Sequence, residues 1–158
     1  MNVSAALYGM VDAAQDACLY DLILTCPERV CLFAGELQPP LERVAPYLVR
    51  LSAGARLAHE WQCEGWGKNW GIIFVSTRSL AELQRHFRQF LQAMLPSGEV
   101  VLFRFYDPRV FRAYFPTLGV KESADWFESV DEFRVETERG NGTLYCRPTG
   151  TQMVRRFE

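Results

Sequence analysis

Two stretches of this 158-residue chain, Trp70–Val75 and Val100–Tyr106, are apolar at odd and even positions alike. In the first, Ile72 and Phe74 alternate with Ile73 and Val75; in the second, Leu102 stands against Val101, Phe103 and Phe105. A strand sends successive side chains to opposite faces, so a strand apolar on both belongs inside a sheet that is covered on both sides. The expected fold class is therefore α/β: a mixed β-sheet with helices on both faces and a C-terminal antiparallel hairpin at one edge. The length suits one domain over residues 1–158, with the hairpin at 131–147 and a short tail at 148–158.

Other elements follow from local signals. Ala6 to Val11 reads as a strand that stops at Asp12, and Gln15 three residues later completes a variant capping box. Leu19, Leu22 and Ile23 extend that helix to Cys26-Pro27. Further strands are predicted at Val30 to Ala34 and Tyr47 to Leu51, with a short helix from Leu57 to Glu64 closed by Gly65. Ser79 and Glu82 form a capping box before a stripe of Leu80, Leu83, Phe87, Phe90, Leu91 and Met94, which predicts a helix ended by Pro96-Ser97-Gly98. Asp107 caps the next helix, with Pro108 at its first position, where a missing N–H is harmless. A short helix is expected from Ser123 to Ser129. Phe133, Val135 and Thr137 alternate with polar residues, and Gly140-Asn141-Gly142 turns the chain into a second strand, Thr143 to Arg147. Gln152 to Glu158 reads as a single helical turn.

Charge narrows the function. There are 6 basic and 8 acidic residues up to Ser79, and 11 of each after it. That balance offers no positive face for tracking phosphates, so nucleic acid is not an expected partner. No apolar run reaches membrane-spanning length, the start lacks a positive signal region, and a cytoplasmic protein is expected. The five cysteines never fall in a CxxC spacing and read as small buried apolar residues, not a zinc site.

The chemical inventory is short. Asp12 and Asp107 lie at strand ends, where α/β sheets place ligands, and two carboxylates there could hold a divalent cation for phosphoryl transfer or hydrolysis. Each also fits as the cap of the helix that follows, and that reading is preferred. Arg104, within an apolar strand, needs a partner, and an internal carboxylate such as Asp107 or Glu36 is expected to supply it. His59 and Cys63 share a helical face, but His86 lies on another helix, so no metal site or cofactor is expected. Nucleophile-elbow, Walker and dinucleotide motifs do not occur. Aromatics and arginines are plentiful: Trp61, Trp66 and Trp70 surround two glycines, and Tyr106, Phe111, Tyr114 and Phe115 form a second cluster. Such side chains anchor protein interfaces. Trp66, Trp70, Tyr106, Arg109 and Tyr114 are the candidate partner-binding residues, and Arg104, Asp107 and Pro108 a structural motif. The hairpin edge is a second candidate surface.

Several stretches occur in a telling order: LYGMVDAAQD (residues 7–16), LFAGEL (32–37), APYLVRL (45–51), GWGKNWGI (65–72) and LFRFYDPRV (102–110). Together they resemble the adaptor, or effector-chaperone, family of bacterial type VI secretion systems, over about Leu7 to Val135. Residues 104–109, RFYDPR, are the most specific part. The resemblance implies a cytoplasmic, non-enzymatic protein that binds a toxic effector and loads it onto the VgrG spike. Many relatives carry a variable region after this domain, credited with cargo choice, whereas this chain ends at Glu158; the expectation is either a minimal adaptor or cargo contact on the domain itself. An immunity-type inhibitor and the metal-dependent enzyme above are the alternatives.

Overall fold

The computed structural model describes residues 3–155. Its elements are β1 (Ala6–Asp12), a 3₁₀ turn (Ala13–Gln15), α1 (Leu19–Leu24), β2 (Arg29–Cys31), α2 (Pro39–Glu42) and β3 (Pro46–Arg50). Then come α3 (Arg56–Glu60), running into a π turn (Trp61–Gly65), β4 (Gly71–Ser76), α4 (Leu80–Arg88), β5 (Gln92–Met94) and β6 (Val100–Leu102). The chain continues through α5 (Pro108–Tyr114), a 3₁₀ turn (Phe115–Thr117), α6 (Val120–Trp126), β7 (Glu132–Glu136), β8 (Gly142–Arg147) and β9 (Gly150–Arg155).

Seven strands form one sheet in the order β2-β3-β1-β4-β7-β8-β9, and β5 and β6 form a separate two-stranded ribbon. The α/β class stands, with helices on both faces and the C-terminal strands at one edge. The sheet is not mixed in direction, however: all its pairings among the described residues are antiparallel.

The alternation of side chains divides the core in two. Tyr8, Met10, Leu48, Ile72, Phe74, Phe133 and Val135 face one way and meet Leu83 and Phe87 of α4, Phe111 of α5 and Trp126 of α6. Val11, Tyr47 and Val49 face the other way and meet Leu19, Leu22 and Ile23 of α1 with Leu57 and Trp61 from α3 and its π turn. The first core is dense in rings: Phe87 lies 5.1 Å from Phe74 and 5.8 Å from Phe105 between centroids, and Phe90 stacks on Trp126 at 3.9 Å. Offset and edge-on pairs of this kind add to the burial of area. β2 is short, and its end is sealed: Gln84 donates to the Cys31 carbonyl at 2.9 Å, and Arg88 to those of Leu32 and Phe33 at 2.9 and 3.0 Å. At the far end β9 is the outermost strand.

Four expectations give way. The stripe ending at Met94 is helical only to Arg88; Gln92–Met94 is β5, paired with β6 across a turn in which Gly98 has φ 86°. Short apolar runs flanking Pro-Ser-Gly satisfy a hairpin as well as a helix, and the hairpin prevails. Val100–Tyr106 is consequently not a strand of the main sheet. Only Val100–Leu102 is extended, and its outward residues are exposed (Val100 55%, Leu102 48%), while Phe105 and Tyr106 enter the core from an irregular segment. Finally, the helical turn expected at Gln152–Glu158 is replaced over its described part by β9, which continues the hairpin into a meander; residues 156–158 lie outside the described residues. The first helix is also split, because the Asp16 side chain accepts from the Cys18 N–H at 3.1 Å and interrupts the backbone ladder before α1. No helix among the described residues is long and apolar enough to cross a membrane.

Phe87 has no exposed surface and touches rings from two strands and the irregular segment. Phe87→Ala is expected to cost about 3–5 kcal/mol by leaving a cavity, read as a lower urea midpoint with unchanged slope.

Candidate partner-binding site

The RFYDPR segment closes one end of the sheet. Asp12 terminates β1 and is 1% exposed. Its carboxylate accepts from the Ala14 N–H at 3.1 Å and from Gln15 Nε2 at 2.8 Å, and it is ion-paired with the Arg104 guanidinium. A buried carboxylate without such partners would be costly, so the pair fastens the irregular segment to the central strand. Asp107 caps α5, accepting from the Arg109 N–H at 2.9 Å, and the Arg109 side chain folds back onto both its oxygens at 3.0 and 2.8 Å. Burial pushes the Asp107 carboxyl up, but the Arg109 bonds outweigh it and hold it below its ordinary range. Pro108 is buried at the first helical position. Arg109 also reaches Gln15 Oε1 at 3.3 Å, which joins both acids in one network.

The expectation of an internal carboxylate for Arg104 is met, but by Asp12, not Asp107 or Glu36. Sequence spacing hides this partner, since 92 positions separate the two residues. Among the described residues no three His, Cys, Asp or Glu side chains are grouped to hold a metal. His59 and Cys63 are neighbours on an exposed face, and His86 is buried against the Trp126 carbonyl at 3.1 Å.

Glu136, at the end of β7, was not singled out from sequence. It is 1% exposed, and its two oxygens accept from the Gly67 and Asn69 N–H groups, both at 2.9 Å. The tryptophan-rich turn is thereby clamped to the hairpin. Gly67 and Gly140, at φ 93° and 66°, press together so closely that a Cβ on Gly140 would lie 2.7 Å from the Gly67 Cα. Burial raises the Glu136 pKa, against the lowering effect of the two backbone bonds and of Arg112. The place of Glu136 on the polar side of an alternating strand reads as exposed, so no local signal in the sequence marks it as buried.

The clamp positions Trp66, whose Nε1 donates to the Gly142 carbonyl at 3.2 Å. Trp66 and Tyr114 are half-buried and Arg109 is exposed, whereas Trp70 and Tyr106 are each only 2% exposed and pack in the two cores. The candidate residues therefore do not share one surface. What the fold does bring together lies beside α3. Helices α1 and α3 overlie β1 and β3, and the strip over β4, β7 and β8 forms a groove of about 350 Å³. One row crosses its floor in register: Ile73 of β4, Arg134 of β7 and Tyr145 of β8. Trp61 and Trp66 form its wall. Gly9 continues the row on β1, where the Trp61 ring occupies the space of a side chain.

A family model described as "Domain of unknown function (DUF4123)" matches residues 7–125. The chain belongs to that family. The matched span includes the Asp12–Arg104 pair, the clamped turn and α5, while the family's boundary falls before β7 and the residues that close the groove. No curated protein and no solved structure matches the chain.

Two outcomes follow from these networks. Arg104→Ala is expected to lower stability by about 1–3 kcal/mol by stranding Asp12, with partial recovery in Arg104→Lys, measured by chemical denaturation. For Glu136 the folded pKa lies above the unfolded one, so its stabilising contribution is full at low pH and lost as pH rises through the folded value. The stability advantage of the native chain over Glu136→Gln should accordingly shrink as pH climbs from the ordinary glutamate range, in denaturation curves taken pH by pH.

Proposed function

We propose that this protein is a cytoplasmic adaptor that holds a type VI secretion effector and loads it onto a VgrG spike, without chemistry of its own. The reading is supported by the ordered motifs, RFYDPR above all. In this reading RFYDPR is the fastening of the scaffold: Asp12 and Asp107 are engaged as caps and ion-pair partners, so their role is shape.

The observation that carries a protein-holding role is the β5–β6 ribbon. Met94 and Val100 face each other across it and are 75% and 55% exposed; Leu102 on the same face and Leu95 at the turn are also exposed. Contiguous apolar side chains left in water on a two-stranded ribbon mark a contact surface for another macromolecule. An adaptor needs two such surfaces, and the ribbon and the groove beside α3 are on different parts of the fold.

Co-expression with the effector and the spike encoded beside it should yield a complex that survives size exclusion; recovery of the chain free of both would sink the adaptor reading. A Met94→Lys/Val100→Lys variant should keep its melting temperature within a few degrees, because both positions are exposed, and should lose one of the two partners on the same column.

A further inference from the structure

The groove beside α3 has a chemistry that the scaffold does not use. Its lining is mainly apolar or aromatic, from Leu7, Ile73, Tyr145, Trp61 and Trp66, with the polar Gln62 and Thr143 beside them, and the charged residue among those that line it is Arg134. The Arg134 guanidinium lies 5.5 Å from the Tyr145 ring centroid and donates its Nε–H to Glu132 at 2.6 Å. Directly across the ladder, Arg147 donates to the other oxygen of the same carboxylate. Burial pushes Glu132 up, but the two arginines outweigh it and hold it below its ordinary range, so at neutral pH it carries one negative charge. Two guanidiniums thus share a single carboxylate, and among the described residues Glu132, Arg134 and Arg147 together carry one net positive charge beside the groove. Each guanidinium has five N–H donors, and these bonds take one from each.

We infer that this groove receives a segment of a partner polypeptide in which a bulky apolar side chain stands next to an acidic one. The apolar side chain fills the space between Ile73 and the tryptophan wall; the carboxylate meets Arg134, whose planar fork suits bidentate binding. The pocket volume accommodates one or two side chains, which fits a single anchor with a flanking acid. The inference rests on the protein-holding reading above and adds the chemistry of what is held. Charge complementarity selects the occupant: a basic or wholly apolar segment would leave the excess guanidinium unmatched.

The test uses the full chain, ¹⁵N-labelled, titrated with the blocked tripeptide glutamyl-leucyl-glutamate. The amides of Thr143 and Tyr145 and the Trp66 indole N–H should shift and saturate. Lysyl-leucyl-lysine and glutamyl-glycyl-glutamate should each bind at least tenfold more weakly. Arg134→Gln, in which Glu132 keeps Arg147, should weaken the first peptide about tenfold, and Ala58→Phe, which plugs the groove from α3, should abolish its shifts. Equal binding of all three peptides, shifts elsewhere on the fold, no shifts, or self-association of the chain through these residues would overturn the inference. The two readings separate in the co-expression experiment. If native chain and Ala58→Phe both hold effector and spike, the groove falls and the adaptor stands. If the peptide binds as described but neither protein is held, the adaptor falls and the groove stands.

Discussion

The structure depends on a carboxylate at the end of its central strand. Asp12 leaves β1 almost without exposure and satisfies three tasks: it caps the turn that follows, binds Gln15, and neutralises Arg104. The last of these is the costly one to replace, because it holds an irregular segment against a sheet with which that segment shares no strand pairing. Phe105 and Tyr106, which follow Arg104, are buried in the ring-rich core, and the ion pair fastens their chain beside it. The fold thereby gains an aromatic core without committing another strand to the sheet.

The two faces of that sheet divide the work unequally. One is sealed by α4, α5 and α6 over a continuous array of rings, and its residues are fixed in place by packing. The other is sealed only over β3 and β1, and beyond the Trp61 ring it carries a row of mixed character: Ile73, Arg134, Tyr145. Rows of that composition are poor core, since a guanidinium keeps its affinity for water, and are well suited to contact with something that arrives later.

What was legible in the sequence was mostly local. The Ser79–Glu82 capping box, the Asp107-Pro108 helix start and the Gly140-Asn141-Gly142 turn all occur where residue chemistry places them, because each involves groups within four positions of one another. Val100–Tyr106 was misread because apolarity on both faces states that side chains are buried or partnered, not that the backbone is paired; half of the stretch is an exposed ribbon and half an irregular insertion into the core. The Arg104 partner and the Glu136 clamp were hidden for a related reason. Both join residues more than sixty positions apart, and no periodicity carries such information. Exposure separated the candidate aromatics: Trp70 is core and Trp66 lines the groove, though both belong to the same turn.

The seal on β2 has a consequence for how this molecule behaves in a crowd. The Cys31 carbonyl at the end of β2, and those of Leu32 and Phe33 just past it, are already occupied by Gln84 and Arg88, so this end of the strand offers few free acceptors to an incoming chain. Side-chain donors spent on these three carbonyls disfavour β-pairing with another copy at this end of the sheet, where a short strand would otherwise present bare acceptors.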